Sequence, residues 1–354
     1  MSIQDEATQV RSGEELDLKK LSAYLKDQIP HLSENMEIQQ FPSGFSNLTY
    51  LLRSGDREMV LRRPPFGKKA KTAHDMGREY RILKSLRPVF PYCPEPLCFC
   101  EDPDIMGCDF YVMQRIPGII LRKKLPEGFS LSPSQASKLC ENLVSVHANL
   151  HKLDIRDAGL ENFGKPEGYV KRQVEGWSRR FRDARTPDVP AFEEIMAWLN
   201  EKQPGDTDRP SIIHNDFKFD NVVLNPNDPT EIIGILDWEM ATLGDPLMDL
   251  GASMAYWINK TDPDYLQHTR LMPTTLEGMM TREEVVAAYA KKTGRNIQDF
   301  DFYYIFGLFR LAVIAQQIYY RFYHGQTKDQ RFAFLVHAVG FFEKACKDVM
   351  DKKH

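Results

Sequence analysis

The run Ile212-Ile213-His214-Asn215-Asp216-Phe217-Lys218-Phe219-Asp220-Asn221 sets an imidazole, a carboxylate, an ammonium and an amide at fixed intervals behind an apolar lead-in. A second apolar stretch, Ile235-Leu236, ends in Asp237. This set suits the movement of a phosphoryl group onto a hydroxyl, which mainly requires an aligned acceptor and neutralised charge on the phosphoryl oxygens. Asp216 fits the proton acceptor and Lys218 a point charge facing the transferring group. Asn221 and Asp237 offer the hard oxygen ligands that Mg²⁺ takes beside water and phosphate. With an acid already at the centre, His214 is expected to orient the loop through hydrogen bonds.

Taken singly, each of these residues suits a turn, and Asn221 could simply open a strand at Val222. The sequence between them brings the set together. Val222 to Leu224, the turn Asn225-Pro226-Asn227-Asp228-Pro229 and Ile232 to Leu236 read as a β-hairpin that returns Asp237 beside Asn221.

The segments HNDFKFDN, ILDWE and Gly244-Asp245-Pro246-Leu247-Met248-Asp249-Leu250 resemble the aminoglycoside phosphotransferase and choline kinase superfamily of small-molecule kinases. VLRRPPFG, HDMGREYRIL, RQVEGWSRRF and GDPLMDLGASMAYW look like the phosphotransferase domain that some animal proteins carry fused to an acyl-CoA dehydrogenase. The likeness runs from about Phe41 to about Gly340. It implies an α+β, protein-kinase-like bilobal fold: a small lobe over residues 1–115 with a five-stranded antiparallel sheet, and a mainly helical large lobe over 116–354. It also implies ATP and Mg²⁺ as cofactors and a small-molecule hydroxyl as acceptor. For the fused relatives the implied acceptor class is 4-hydroxyacyl-CoA.

Leu18, Leu21, Leu25 and Ile29 are spaced for an amphipathic leading helix over 17–29, closed by Pro30. Strands are expected at 38–41, 48–53, 58–63, 97–100 and 109–115, with a helix over 72–86 after the third and an acidic turn at 101–104. The turn Ser43-Gly44-Phe45-Ser46-Asn47 would lie over nucleotide phosphates, although it has one glycine where a protein-kinase loop carries GxGxxG. Val60 and Arg62 share a face by the period of two, and Arg62 stands where kinases place a phosphate-binding lysine. Glu79 is its expected carboxylate partner, Arg63 is the rival for its role, and solvated surface charges are the alternative. Gln114-Arg115-Ile116-Pro117-Gly118 reads as the hinge, with the backbone of Gln114 and Ile116 at the adenine edge and Met113 behind the base.

Ser132 is spaced to cap a helix ending near Leu153, with Leu139, Leu143, Val146 and Leu150 on one face. His147 and His151 lie four apart on it; without HExxH or a nearby acid they read as a packed pair. The segment 171–185 carries Lys171, Arg172, Arg179, Arg180, Arg182 and Arg185 around Trp177. It is either a solvated charged helix or a surface for an acidic acceptor, in which case Trp177, Arg179, Arg180 and Glu239 are the candidate substrate contacts. Asp249 is expected to head a helix through Met254 and Trp257 and to accept backbone hydrogen bonds from the catalytic loop. Thr281 and Glu284 form a capping box for 282–293, and aromatic helices over 301–324 and 330–350 are expected to cover the cleft.

With 42% hydrophobic and 27% charged residues the chain has a globular balance, and 354 residues allow two lobes with separate cores. A net charge of −4 gives no ground for a nucleic-acid or membrane partner. The start, MSIQDEATQVRSGEELD, lacks the pattern of a secretory signal, so a cytoplasmic location is expected. The apolar run from Phe302 to Ala315 is broken by Arg310 and falls short of a membrane span, so it reads as a buried helix. Cys93, Cys98, Cys100 and Cys108 match no paired CxxC pattern and are expected to be free thiols, neither zinc ligands nor disulfides. Two rival readings stand: an aminoglycoside kinase, opposed by the basic segment through charge, and a nucleotide-binding pseudokinase, favoured by Arg62 but opposed by the intact catalytic set. The sequence sets no oligomeric state.

Overall fold

Helix α1 (Leu18–Gln28) starts where the Asp17 side chain accepts from the Lys20 N–H, and it lays Leu21 and Leu25 against the sheet. The computed structural model describes residues 6–42, 47–66 and 75–352. The turn residues Ser43, Gly44, Phe45 and Ser46, and the start of the helix expected over 72–86, lie outside the described residues.

Strands β1 (Met36–Gln40), β2 (Leu48–Ser54), β3 (Arg57–Arg63), β4 (Pro96–Cys100) and β5 (Phe110–Gln114) form one antiparallel sheet in the order β1-β2-β3-β5-β4. Alternation divides its faces. Tyr50, Leu52, Met59, Leu61, Phe110 and Val112 pack with α1, whereas Leu51, Val60, Tyr111 and Met113 join the core that continues into the helical lobe. The period of two therefore places Arg62 on the inner face with Val60. Helix α2 (Met76–Leu86) is capped by Asp75 and buries Glu79 among Met76, Ile82 and Leu83. Where an acidic turn is expected, Asp102 caps a one-turn helix, α3 (Pro103–Met106), closed by Gly107 at φ 71.

The first helix of the large lobe is α4 (Pro133–Lys152), opened by a Ser132/Gln135 capping box. It continues through α5 (Tyr169–Ala184), α6 (Glu193–Lys202) and the short strands β6 (Ser211–Ile213), β7 (Val222–Leu224), β8 (Ile232–Ile235) and β9 (Thr242–Gly244). β7 pairs with β8 as the expected hairpin, and β6 pairs with β9. Helices α7 (Pro246–Tyr256), α8 (Asp264–Gln267), α9 (Arg282–Thr293), α10 (Asp301–Tyr323) and α11 (Leu335–Asp351) complete the chain. α7 begins one turn earlier than the sequence suggests, because Asp245 accepts from the Leu247 N–H and Pro246 occupies the first turn. Asp249 thus lies inside the helix instead of heading it.

α7 and α10 cross in backbone contact: a Cβ on Gly307 would meet the Gly251 carbonyl oxygen at 2.3 Å. All six cysteines are free and buried. Among the described residues no helix is long and apolar enough to cross a membrane.

Candidate active site

The loop after β6 turns sharply at Asn215, whose φ of 65° is held from three sides. Its N–H donates to Asp249 Oδ1 at 2.7 Å, its side chain donates to the Met240 carbonyl at 3.0 Å, and it accepts from the Tyr169 hydroxyl at 3.1 Å. This turn presents Asp216. Lys218 Nζ donates to both Asp216 carboxylate oxygens, at 2.8 and 2.9 Å, and sits 4.5 Å from the Tyr256 ring centre. Burial opposes the charge on Lys218, but Tyr256 and Asp216 hold its proton above the ordinary range. Asn221 Nδ2 donates to the backbone and side-chain oxygens of Asp216, at 2.9 Å each. The Leu236 N–H donates to the Asn221 carbonyl at 2.8 Å, so the hairpin brings Asp237 back as its turn residues imply.

His214 is fully buried, and burial pushes its imidazole below the ordinary value. Its neutral ring accepts from the Asp216 N–H at Nδ1 (3.2 Å) and donates from Nε2 to the Leu236 carbonyl (3.0 Å). It thereby links the loop bearing Asp216 to the strand end bearing Asp237.

Asp249 anchors this arrangement from α7. Its carboxylate accepts from the backbone N–H of His214 (2.8 Å) and Asn215, and from Nε2 of His147 (3.2 Å) and His151 (3.1 Å). Burial works against its ionisation, yet the bonds from His147 and His151 hold it well below the usual carboxylate range. The histidine pair therefore does have an acid beside it, one that sequence distance concealed. The three groups are close enough to ligate a cation, and burial pushes His151 down to about 4. Its other ring nitrogen accepts from the Tyr289 hydroxyl at 2.6 Å, so hydrogen bonding within the chain accounts for the cluster.

On the sheet, Arg62 Nη1 lies 2.5 Å from Glu79 Oε1, and its Nη2 lies 3.0 Å from Asp237 Oδ1 and 3.5 Å from Glu239 Oε2. Arg62 and Glu79 are both buried, so the reading of two solvated charges is excluded. Burial opposes the Arg62 charge, but Glu79, Asp237 and Glu239 keep it well above its ordinary value. The rival Arg63 donates instead to the Pro64 carbonyl and lies over the Phe66 ring. Asn47 donates to Glu239 Oε2 at 2.6 Å, which draws Glu239 into the Arg62 cluster. At the end of β5 Met113 is buried, Gln114 is exposed, and Ile116 packs on Gly234 of β8.

A separate cavity of about 210 Å³ abuts the loop, lined by Trp177, Arg180, Asn215, Met240 and Arg310 among others. Trp177 and Arg180 are thus brought together, whereas Arg179 is exposed and outside the lining, and Glu239 bonds elsewhere. Tyr169, Tyr256 and Arg310 are missing from the sequence-based set. Arg310 had a signal, a lone cation in an apolar run; the tyrosines had none.

A model of the phosphotransferase enzyme family matches residues 37–277. Acyl-CoA dehydrogenase family member 11 of Rattus norvegicus is 32% identical over 337 residues, which cover 93% of this chain and 43% of that protein. Acyl-CoA dehydrogenase family member 10 of Mus musculus is 36% identical over 312 residues, covering 87% and 29%. The chain therefore spans less than half the length of these relatives. Among solved structures, a Ralstonia eutropha protein assigned to the aminoglycoside phosphotransferases superposes with a TM-score of 0.79 at 27% identity, covering 95% of this chain and 99% of that one. Choline kinase from Cryptosporidium parvum shares the fold at a TM-score of 0.62 and 12% identity, covering 95% and 97%. A loop of this geometry under a five-stranded sheet, matched by that family model over most of its length, makes this chain a member of the phosphotransferase enzyme family, with the protein-kinase-like fold of aminoglycoside phosphotransferases and choline kinases.

Proposed function

We propose that the chain uses ATP and Mg²⁺ to phosphorylate the hydroxyl of a small molecule, with a hydroxyacyl-CoA as the favoured acceptor. The carrying observation is the single hydrogen-bonded set of Asp216, Lys218 and Asn221, tied through Leu236 to Asp237. The donor set suits Mg²⁺. Asn221 commits its amide nitrogen to Asp216, which leaves its amide oxygen for a cation, and Asp237 adds a carboxylate with 33% of its side chain exposed. Bound there, Mg²⁺ would draw charge from the phosphoryl oxygens.

In this reading the Asp216 carboxylate accepts the proton of the acceptor hydroxyl. Lys218, kept charged, neutralises the transferring group, and His214 and Asp249 hold the loop in register. Arg62, oriented by Glu79, serves the nucleotide phosphates together with Asn47 and the turn residues 43–46. Met113, Gln114 and Ile116 meet the base, with the lobes dividing after Arg115. The six free, buried thiols fit a reducing, cytoplasmic setting.

Support for the acyl-CoA class comes from the relatives' names and from arginines at the cavity beside Asn215, which would repel a polycationic aminoglycoside. Measuring ADP release with MgATP and a panel of hydroxyacyl-CoAs against kanamycin-type amines tests it. Turnover is expected only with the thioesters. Tight MgATP binding without transfer to any hydroxylated acceptor would replace this reading with a nucleotide-binding module.

A further inference from the structure

Helix α10 carries a buried cation, Arg310, to the edge of a cavity. Arg310 is 4% exposed, and among the described residues no carboxylate lies within ion-pair distance of it. Its hydrogen bond runs from Nη2 to the thioether sulfur of Met240 at 3.4 Å, a weak acceptor for a group with five N–H donors. Its guanidinium carbon lies 5.4 Å from the Trp177 ring centre, and that of Arg180 lies 4.8 Å from the same ring. Burial, together with the charges of Arg179 and Arg310, pushes Arg180 below its ordinary value. An indole offsets part of the cost of one desolvated cation. Arg180 reaches the same indole from the exposed rim, so it brings the buried Arg310 no counter-charge, and buried charges are normally paired. Both arginines face the cavity of about 210 Å³ that Asn215, the residue before Asp216, also lines.

We propose that this cavity is a seat for an oxyanion of the phosphate acceptor, a phosphate ester or a carboxylate, held by Arg310 at its floor and Arg180 at its rim across Trp177. The assignment rests on the phosphotransferase reading for the identity of the occupant, but anion binding can be measured without transfer. Arg310 and Arg180 then select acceptors by charge.

The test is equilibrium titration of the full chain, loaded with Mg²⁺ and a non-hydrolysable ATP analogue, using CoA, pantetheine and 4-hydroxybutanoate as probes. Arg310→Met should weaken the charged probe that occupies the seat by about tenfold or more, and Arg310→Lys by less because the charge is retained. Pantetheine, which lacks the phosphates, should bind wild type and variants alike. Sensitivity confined to CoA assigns a phosphate, and sensitivity confined to 4-hydroxybutanoate assigns a carboxylate. Should Arg310→Met fail to melt cooperatively, Arg180→Met at the exposed rim carries the same comparison, with a smaller loss of roughly threefold to tenfold. Charged probes that bind wild type and both variants equally would overturn the seat, even if hydroxyacyl-CoA were phosphorylated normally. Arginine-dependent anion binding without any phosphoryl transfer would uphold the seat and remove the kinase reading.

Discussion

Asp216 divides its carboxylate between Lys218 and Asn221, which fix the group proposed to accept the proton of the acceptor hydroxyl. Asp216→Ala should lower turnover roughly 10²–10⁴-fold while MgATP affinity, measured by titration, stays close to wild type. Unchanged turnover would take Asp216 out of the proton transfer. A second residue-scale test concerns the buried ion pair of the sheet. Burial pushes the Glu79 carboxyl up to about 7, against the pull of Arg62. Arg62→Ala removes the cation shared by Glu79, Asp237 and Glu239 and should cost about 3–5 kcal/mol. Glu79→Gln, a neutral isostere of a group already near protonation, should cost distinctly less. Urea denaturation of the two variants at pH 7 compares them, and equal losses would mean that Glu79 depends on full ionisation. Arg62 was legible from strand alternation and its place on the third strand, and Glu79 from its place in the helix that follows. The contact of Arg62 with Asp237 was not, because it crosses 175 positions of sequence.

Among the elements, the crossing of α7 and α10 controls where Asp249 sits. At that crossing a Cβ on Gly251 would lie 2.3 Å from the Tyr303 carbonyl oxygen, and one on Gly307 would lie 2.3 Å from the Gly251 carbonyl oxygen. Both partners are backbone, so neither can swing away. Gly307→Ala must separate the helices and is expected to destabilise by about 1–3 kcal/mol, with turnover falling as Asp249 loses its register on His214 and Asn215. Gly340→Ala in α11 is the control, since an added methyl there meets nothing within 4 Å and helix propensity favours alanine. Thermal melts with turnover on the same samples decide the matter. If both variants melt like wild type, the close crossing does not constrain the loop. The sequence indicated both helices but not this crossing, because glycine in a helix carries no mark of what lies opposite.

At the scale of the molecule, Asp249 collects α4, α7, α9 and the catalytic loop into one buried polar network inside the core shared by the two lobes. That network has a pH signature. In the unfolded chain His151 takes up a proton near 6.5, but in the fold burial delays protonation to about 4. The stability it contributes is therefore complete above pH 6.5 and is lost as pH falls toward 4, by roughly 3 kcal/mol in all. Asp249 acts in another window: its depressed carboxyl contributes fully above about pH 3.9 and loses that contribution only at lower pH. Denaturation at pH 7 and pH 4.5 should show a smaller drop for His151→Gln than for wild type, and identical drops would move the titration to another group.

The sequence alone determined the five strands of the sheet, the helices α1, α4 and α9 and the chemical set, because caps, strand alternation, helix spacing and the interval from His214 through Asn221 are all written within a few residues. Its family resemblance reached the fold in the same way, through contiguous motifs. The tertiary structure decided which distant groups meet: Asp249 with the histidine pair, Glu239 with Asn47, and Arg310 with Trp177 and Arg180. Those meetings depend on how helices cross and on which face each side chain leaves along them, and a change in one crossing angle would reassign all of them without altering any local pattern.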